Sequence, residues 1–392
     1  MRFRLATSSD VFPIISIFQK SGLKLFSDAI FSDYKRLEAH IKKPESLWVL
    51  TEIEGSLKAV VSILLEEPEG IAKVTRMFVD RDRNDANEIL RESLRYCLHY
   101  LEHLKIDLEM VYSSTMSMTR EQQELTLNEG FKILGIFPNA LGQDNTMLNG
   151  LTGFYFKDVL EKKRVQNFKL HPAVGPFFEI SRKHYSLPSL EVASSDEVSE
   201  LVGGFRASIT EKKSPVLEMI QARRWVESRF QKLRANHSQV INFYPFYNPN
   251  AVITSSKGDV EIYLKISSNS GFCAIIGERM TRAVDPVAMY KNVLTLLEDN
   301  SVSYVEIIND AADIYGAECI INAGFTPCAY VPAFKRQGKK RRDYVVYGKS
   351  FKYLCRPASD SYPEYLEFYR EYFKIEGKNY FPEFLLQDMK RD

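Results

Sequence analysis

No apolar run in the chain approaches the ~18 residues a membrane-spanning helix requires. Met1-Arg2-Phe3-Arg4 has no hydrophobic stretch behind it, so no secretory signal is expected. Cysteine is scarce. Cys97, Cys273, Cys319, Cys328 and Cys355 are odd in number, scattered and never spaced C-x-x-C, as expected of free thiols in a reducing cytoplasm. Net charge is nearly absent: 52 Lys+Arg face 51 Asp+Glu, a formal +1, which excludes a globally basic nucleic-acid binder and an acidic disordered chain. Histidine is also sparse, with six in 392 residues. Aromatics are plentiful, with 25 Phe and 21 Tyr, and 45% apolar residues are enough for packed domains.

The chain repeats itself. Asn128-Glu129-Gly130-Phe131, followed by Pro138, and Asn322-Ala323-Gly324-Phe325, followed by Pro332, both read N-x-G-F-x6-P, 194 residues apart. Strand-like runs precede each copy (Ile106–Tyr112 and Val302–Ile308), and others follow (Gly153–Lys157 and Tyr344–Lys349). A period this long is expected to mark two α/β domains rather than a solenoid. Residues 1–160 would form one and 190–352 the other. Residues 161–189, with three prolines, would connect them, and 353–392 would be an aromatic-rich helical tail.

In the first copy, strands are expected at Phe3–Ala6, Leu47–Ile53, Leu57–Leu65 and Ala72–Val79. Helices are expected over Val11–Lys20, Asn87–Leu104 and Arg120–Asn128. In the second, helical patterns cover Ser195–Gly203 and Ser214–Ala235, and strands cover Val240–Phe246, Ala251–Ser255, Val260–Ser267 and Gly271–Gly277. Asp285-Pro286 reads as an N-cap and first-turn proline.

This order resembles the GNAT acyltransferase superfamily. The likeness is carried by Phe78-Val79 running into Arg83 and the Asn87 helix, by Asn309 after a strand, and by the two N-x-G-F segments. It implies a mixed α/β fold of two tandem domains, each a splayed sheet flanked by helices. It also implies a reaction: an acyl group passes from acetyl-CoA or another acyl-CoA to an amine on a small molecule or peptide, with no metal. The donor would lie where the fourth and fifth strands part, its pyrophosphate at a helix N-terminus. The donor-binding residues implied are Phe78, Val79, Arg83, Asn84, Asp85, Ala86, Asn87 and Ser113; no catalytic residue is assigned.

The sequence departs from the family pattern. Arg83–Glu88 holds no glycine where backbone should approach phosphate. In the second copy, Gly277–Arg282 leads to Asp285, whose carboxylate would compete for the same helix start. The family's frequent tyrosine is replaced by Thr126 and Ile320. Three alternatives stay open: arginines grip CoA, the donor is an acyl group on a carrier protein, or the chain binds without catalysing.

Lys335–Arg342 packs six positive charges into eight residues, read either as a solvated hairpin tip or as a seat for an acidic carrier protein. It lacks interleaved aromatics, which points away from nucleic acid. His99-Tyr100-Leu101-Glu102-His103 matches the H-x-x-E-H string, but the apolar face of Leu90, Leu94, Cys97 and Leu101 turns it toward solvent, and no third ligand is indicated.

Overall fold

The structure is a computed structural model. It describes residues 1–21, 29–82, 84–115, 120–138, 148–208, 216–235, 241–242, 244, 246–281, 284–351 and 361–380. The chain is mixed α/β and divides into two units. Unit 1 comprises Met1–Thr115, Thr119–Ile133 and Leu151–Val159; unit 2 takes Met116–Met118, Leu134–Gly150 and Leu160–Asp392. No helix among the described residues is long and apolar enough to cross a membrane.

Unit 1 is built from β1 (Arg2–Leu5), α1 (Val11–Lys20), α2 (Tyr34–Ile41), β2 (Ser46–Ile53), β3 (Ser56–Glu66), β4 (Ile71–Val79), α3 (Ala86–His103), β5 (Met110–Thr115) and α4 (Arg120–Leu127). β6 (Lys132–Pro138) and β7 (Leu148–Tyr155) are shared, with 132–133 and 151–155 counted in unit 1. The sheet order is β1-β2-β3-β4-β5-β7, antiparallel to β4 and parallel between β4 and β5. Strand alternation sends neighbouring side chains to opposite faces. Trp48, Leu50, Val60 and Phe78 therefore pack against α1 and Phe31. Val49, Val61, Ile63 and Val74 pack against Leu94, Cys97, Leu98 and Leu101 of α3.

In unit 2 the elements are β8 (Lys169–Leu170), α5 (Gly175–Tyr185), β9 (Glu191–Val192), α6 (Ser195–Ser208), β10 (Leu217–Ile220), α7 (Arg223–Arg234), β11 (Ile241–Asn242), β12 (Ala251–Ser255), β13 (Val260–Ser267), β14 (Phe272–Met280), α8 (Pro286–Asp299), β15 (Tyr304–Asp310), α9 (Ile314–Asn322), β16 (Thr326–Gln337), β17 (Lys340–Ser350) and α10 (Pro363–Tyr380). The main sheet runs β16-β17-β15-β14-β13-β12-β10, and residues 134–138 of β6 lie beside β16 through Gly135 and Ala329. α10 buries Tyr365, Phe368 and Tyr372, and its buried Glu376 accepts a 2.6 Å hydrogen bond from Thr326. Phe381 and Phe384 of the aromatic tail, like Cys355, lie outside the described residues.

Several sequence expectations shift. The run Ile106–Tyr112 becomes a strand only from Met110, because Leu108 turns back to donate to the Ile106 carbonyl. The helix expected over Ser214–Ala235 begins at Arg223, since Leu217–Ile220 pairs with β12 instead. The stretch 161–189 carries α5, whose first turn accommodates Pro176. Gly277–Met280, expected as a phosphate loop, continues β14, paired with Val260–Tyr263.

The two N-x-G-F segments form the same helix stop. Phe131 N–H donates to Thr126 O and Gly130 N–H to Leu127 O; Phe325 N–H donates to Ile320 O and Gly324 N–H to Ile321 O. This is the Schellman pattern, which places a left-handed residue just past the helix. Gly130 (φ +86°) and Gly324 (φ +107°) supply it. Phe131 and Phe325 are then delivered into the core. Gly324→Ala should cost about 1–2 kcal/mol from backbone strain alone, since an added Cβ meets nothing within 4 Å. Gly130→Ala should cost more, because its Cβ would press on the Phe154 ring at 3.3 Å. Chemical denaturation of both variants checks the order; equal losses would mean the Phe154 contact relaxes freely.

Candidate functional site

In unit 1 the parallel pair β4–β5 hydrogen bonds from Ile71–Met110 to Val74–Ser113. β4 then continues to Val79 and β5 to Thr115 with no further pairing between them, so the sheet forks. Ser113 is buried at the fork, and its carbonyl accepts from the Thr152 hydroxyl at 3.5 Å. From Val74 to Val79, β4 runs on for about 16 Å.

The sequence-expected donor residues are distributed along this passage. Phe78 and Val79 end β4 with side chains turned into the core: Phe78 meets Phe18 and Phe31 edge-on at 5.5 Å, and Val79 packs with Ala59, Ile89 and Leu90. They anchor the strand end and do not face a ligand with their side chains. Asn84, Asp85, Ala86 and Asn87 gather at the start of α3. Asp85 occupies the N-cap position, yet its carboxylate accepts from no first-turn N–H. Asn87 donates to Glu121, joining the beginnings of α3 and α4. Arg83 lies outside the described residues. Sequence reasoning missed Arg76, whose guanidinium lies 5.6 Å from the Trp48 ring in the forked part of β4.

Unit 2 repeats the fork but fills it. β14 and β15 pair in parallel from Phe272–Tyr304 to Ala274–Glu306, and β14 continues to Met280. β11 pairs antiparallel with that continuation, Ile241 with Glu278 and Asn242 with Gly277. β13 holds the other edge of β14, so β11 occupies the forked side. The helix start is filled as well. Asp285 Oδ1 accepts from Val287 N at 3.0 Å and Ala288 N at 3.4 Å, and Pro286 removes one donor.

Within this filled fork stands a pair that sequence reasoning missed. Glu278 Oε2 accepts a 2.7 Å hydrogen bond from the Tyr290 hydroxyl, and both side chains are buried. Burial pushes the Glu278 carboxyl up to about 7, the phenol hydrogen bond only partly offsetting it, and burial also raises the Tyr290 phenol. Glu278 was visible in the sequence only as one letter of a presumed loop; its strand alternation was the available signal. The positions that replace the family tyrosine, Thr126 and Ile320, are both buried in the core. Burial raises the Cys97, Cys273 and Cys328 thiols, leaving them poor nucleophiles.

The basic run Lys335–Arg342 is not a solvated tip. Arg341 is fully buried, donating to the Ala333 and Phe334 carbonyls. Lys335 is buried over the Tyr344 ring at 5.1 Å. Arg342 pairs with Asp310 at 3.0 Å, and Lys340 donates to the Lys162 carbonyl. Beneath them, Arg164 grips Asp343 at 2.6–3.0 Å with neither side chain exposed, while Tyr330 and the Ala333 N–H also donate to Asp343. Along β17, strand alternation sends Arg341 and Asp343 inward and Lys340 and Arg342 outward, whereas on β16 Lys335, opposite Arg342, is buried against the Tyr344 ring instead.

No protein-family model matches the sequence, and no curated protein matches it. Solved structures align with part of the chain. A probable acetyltransferase from Staphylococcus epidermidis aligns at 14% identity over 40% of this chain and 99% of that one, TM-score 0.35. The aminoglycoside 6'-N-acetyltransferase from Enterococcus faecium aligns at 13% identity over 40% and 97%, TM-score 0.34. The ribosomal-protein-S18-alanine N-acetyltransferase from Escherichia coli gives 13%, 40% and 94%, TM-score 0.34. Likeness at this level assigns neither activity nor ligand.

Two outcomes test the electrostatics. A carboxyl raised to about 7 in the folded state, against about 4.3 unfolded, makes the native state bind the extra proton between those values. Glu278 therefore stabilises fully below the lower value, and that stability is lost as pH rises through about 7. The Tm of wild type should fall relative to Glu278→Gln between pH 5 and pH 8; a constant difference would mean the carboxyl does not titrate there. Separately, Arg164→Ala should cost about 3–5 kcal/mol by stranding Asp343, whereas Lys339→Glu should stay within about 0.5 kcal/mol. Urea titration of both variants reads this, and equal effects would refute a structural role for the buried pair.

Proposed function

We propose that the chain is a tandem GNAT-like N-acyltransferase whose donor seat lies in unit 1. The observation that carries this reading is the contrast between two forks. In unit 2 the chain's own β11 and Asp285 take the forked strand edge and the helix start. In unit 1, among the described residues, no strand pairs with β4 beyond Val74 on the β5 side, and the N-cap side chain of Asp85 makes no cap hydrogen bond to α3. An extended thioester arm would lie along β4, and its phosphates would meet the first turn of α3, where the helix dipole favours anions. Arg83 would add a bidentate grip in place of the missing glycines. The identical helix stops support reading residues 1–160 and 190–352 as two copies, as does the Gly135–Ala329 pair, which shares their 194-residue offset.

In the reaction an amine nitrogen attacks the thioester carbonyl. A C–N bond forms, the C–S bond breaks, the thiolate leaves and takes up a proton, and the amine's proton passes to a base. The acceptor is an amine on a small molecule or peptide, and the buried free cysteines suit a reducing cytoplasm. An acidic carrier protein at Lys335–Arg342 would have to use Lys339, Lys340 and Arg342, because Lys335 and Arg341 are buried and Arg336 stands opposite Arg341. A second reading, binding without catalysis, is favoured by the core positions of Thr126 and Ile320.

Substitution at the two helix starts separates these. Asn84→Asp adds an anion beside the proposed phosphate seat and should raise the KM for acetyl-CoA several-fold in a thiol-release assay over a panel of amines. The control Thr281→Asp, ahead of the α8 start in unit 2, should leave KM unchanged. A larger effect at Thr281 would move the donor to unit 2. Saturable CoA binding without thiol release from any amine would favour the non-catalytic reading.

A further inference from the structure

We propose that His99, Glu102 and His103, in the last turns of α3, form a surface site for one divalent transition-metal ion. The sequence expectation was a solvated face without metal, on the ground that no third ligand was indicated. The structure supplies it. One ligand atom from each of the three side chains lies within 4.8 Å of the others. On a helix, positions i and i+4 are neighbours along one face, and i+3 lies beside them. The imidazole rings of His99 and His103 stand 4.3 Å apart.

A second observation points the same way. His103 Nδ1 lies 2.8 Å from the His99 carbonyl oxygen. A carbonyl only accepts, so the proton sits on Nδ1, and in the neutral ring the lone pair is left on Nε2. Metal-ligating histidines are characteristically fixed in this manner, the second ring nitrogen donating to a carbonyl or carboxylate. The ring is thus held in a metal-ready tautomer by its own helix. The site also sits at the C-terminal end of α3, where the helix dipole favours a cation.

The donor set selects the ion. Two imidazoles and one carboxylate suit Cu²⁺, Ni²⁺ or Zn²⁺ and disfavour Mg²⁺ and Ca²⁺, which want oxygen ligands. All three side chains are exposed, so small rotamer changes close the bonds to ~2.0–2.2 Å without disturbing the core. Water completes the coordination. The α3 start, where the phosphate seat is proposed, lies about 25 Å away along the helix. The ion therefore takes no part in acyl transfer. It clips the final turn of α3, just before the chain leaves the helix at Leu104 (ψ 144°).

The test uses the full chain with Zn²⁺ and Cu²⁺ as probes. Calorimetry should show one Zn²⁺ per chain, weakened more than about tenfold by His103→Ala and by His99→Ala. The Cu²⁺ electron paramagnetic resonance spectrum should carry hyperfine structure from two nitrogens in wild type and from fewer in either variant. Because both residues are exposed, the metal-free variants should keep the wild-type Tm, so lost binding cannot be ascribed to misfolding. No saturable binding by wild type, or unchanged affinity in the double variant His99→Ala/His103→Ala, would overturn the proposal.

Discussion

A pair of parallel strands that parts company leaves a row of backbone donors and acceptors on each inner edge, and such groups require partners. Both units contain this fork, at Val74–Ser113 and at Ala274–Glu306. Each unit's neighbouring geometry can be understood as an answer to it. Unit 2 answers with its own backbone, laying β11 against Gly277 and Glu278. On the face of β14 turned to α8, burial beside Tyr290 holds the Glu278 carboxyl above its usual range. Unit 1, among its described residues, lays no strand against the corresponding edge of β4. The same division recurs one step along the chain, at the helix starts, where Asp285 caps α8 and Asp85 does not cap α3.

The parts of this arrangement that were legible in the sequence are those set by short-range physics. α1 keeps its expected limits, and β12 and β13 do too, because alternation or helical periodicity is unbroken there. The Gly-Phe repeats were visible because a left-handed helix stop tolerates few residues other than glycine. Asp285-Pro286 announced its cap for a similar local reason. What stayed hidden depends on pairing at a distance. Leu217–Ile220 carries enough helical pattern to be read as helix, and only β12, some 35 residues on, makes it a strand. α2 went unread because its mostly polar eight residues bury only Leu37. The candidate site was less legible than the fold. Its residues could be located from the strand–loop–helix order, but whether the fork was open or filled depends on where β11 returns.

The Lys335–Arg342 hairpin shows how charge counting misleads when a strand underlies it. Six cations in eight residues read as one patch in the sequence. On β17 they are sorted by parity, and the buried ones must find partners in a dry interior. Arg341 meets two carbonyls, and Asp343, two residues on, meets Arg164 from the segment between β7 and β8. The hairpin's charge is thus partly internal scaffolding that ties residue 164 to β17, and only the remainder faces water.

Neither unit is a contiguous length of chain, because residues 134–150 belong with unit 2 although residues on both sides of them belong with unit 1. This has a consequence in time. Gly135 leaves the ribosome 194 residues before Ala329, the residue it pairs with. At about 5–20 residues per second, that is an interval of roughly 10–40 s. During it a β-strand ending in Ile136-Phe137-Pro138 waits with an unpaired edge, the kind of surface that chaperones cover or neighbouring nascent chains capture. The order of synthesis therefore leaves this strand edge uncovered through the middle of translation.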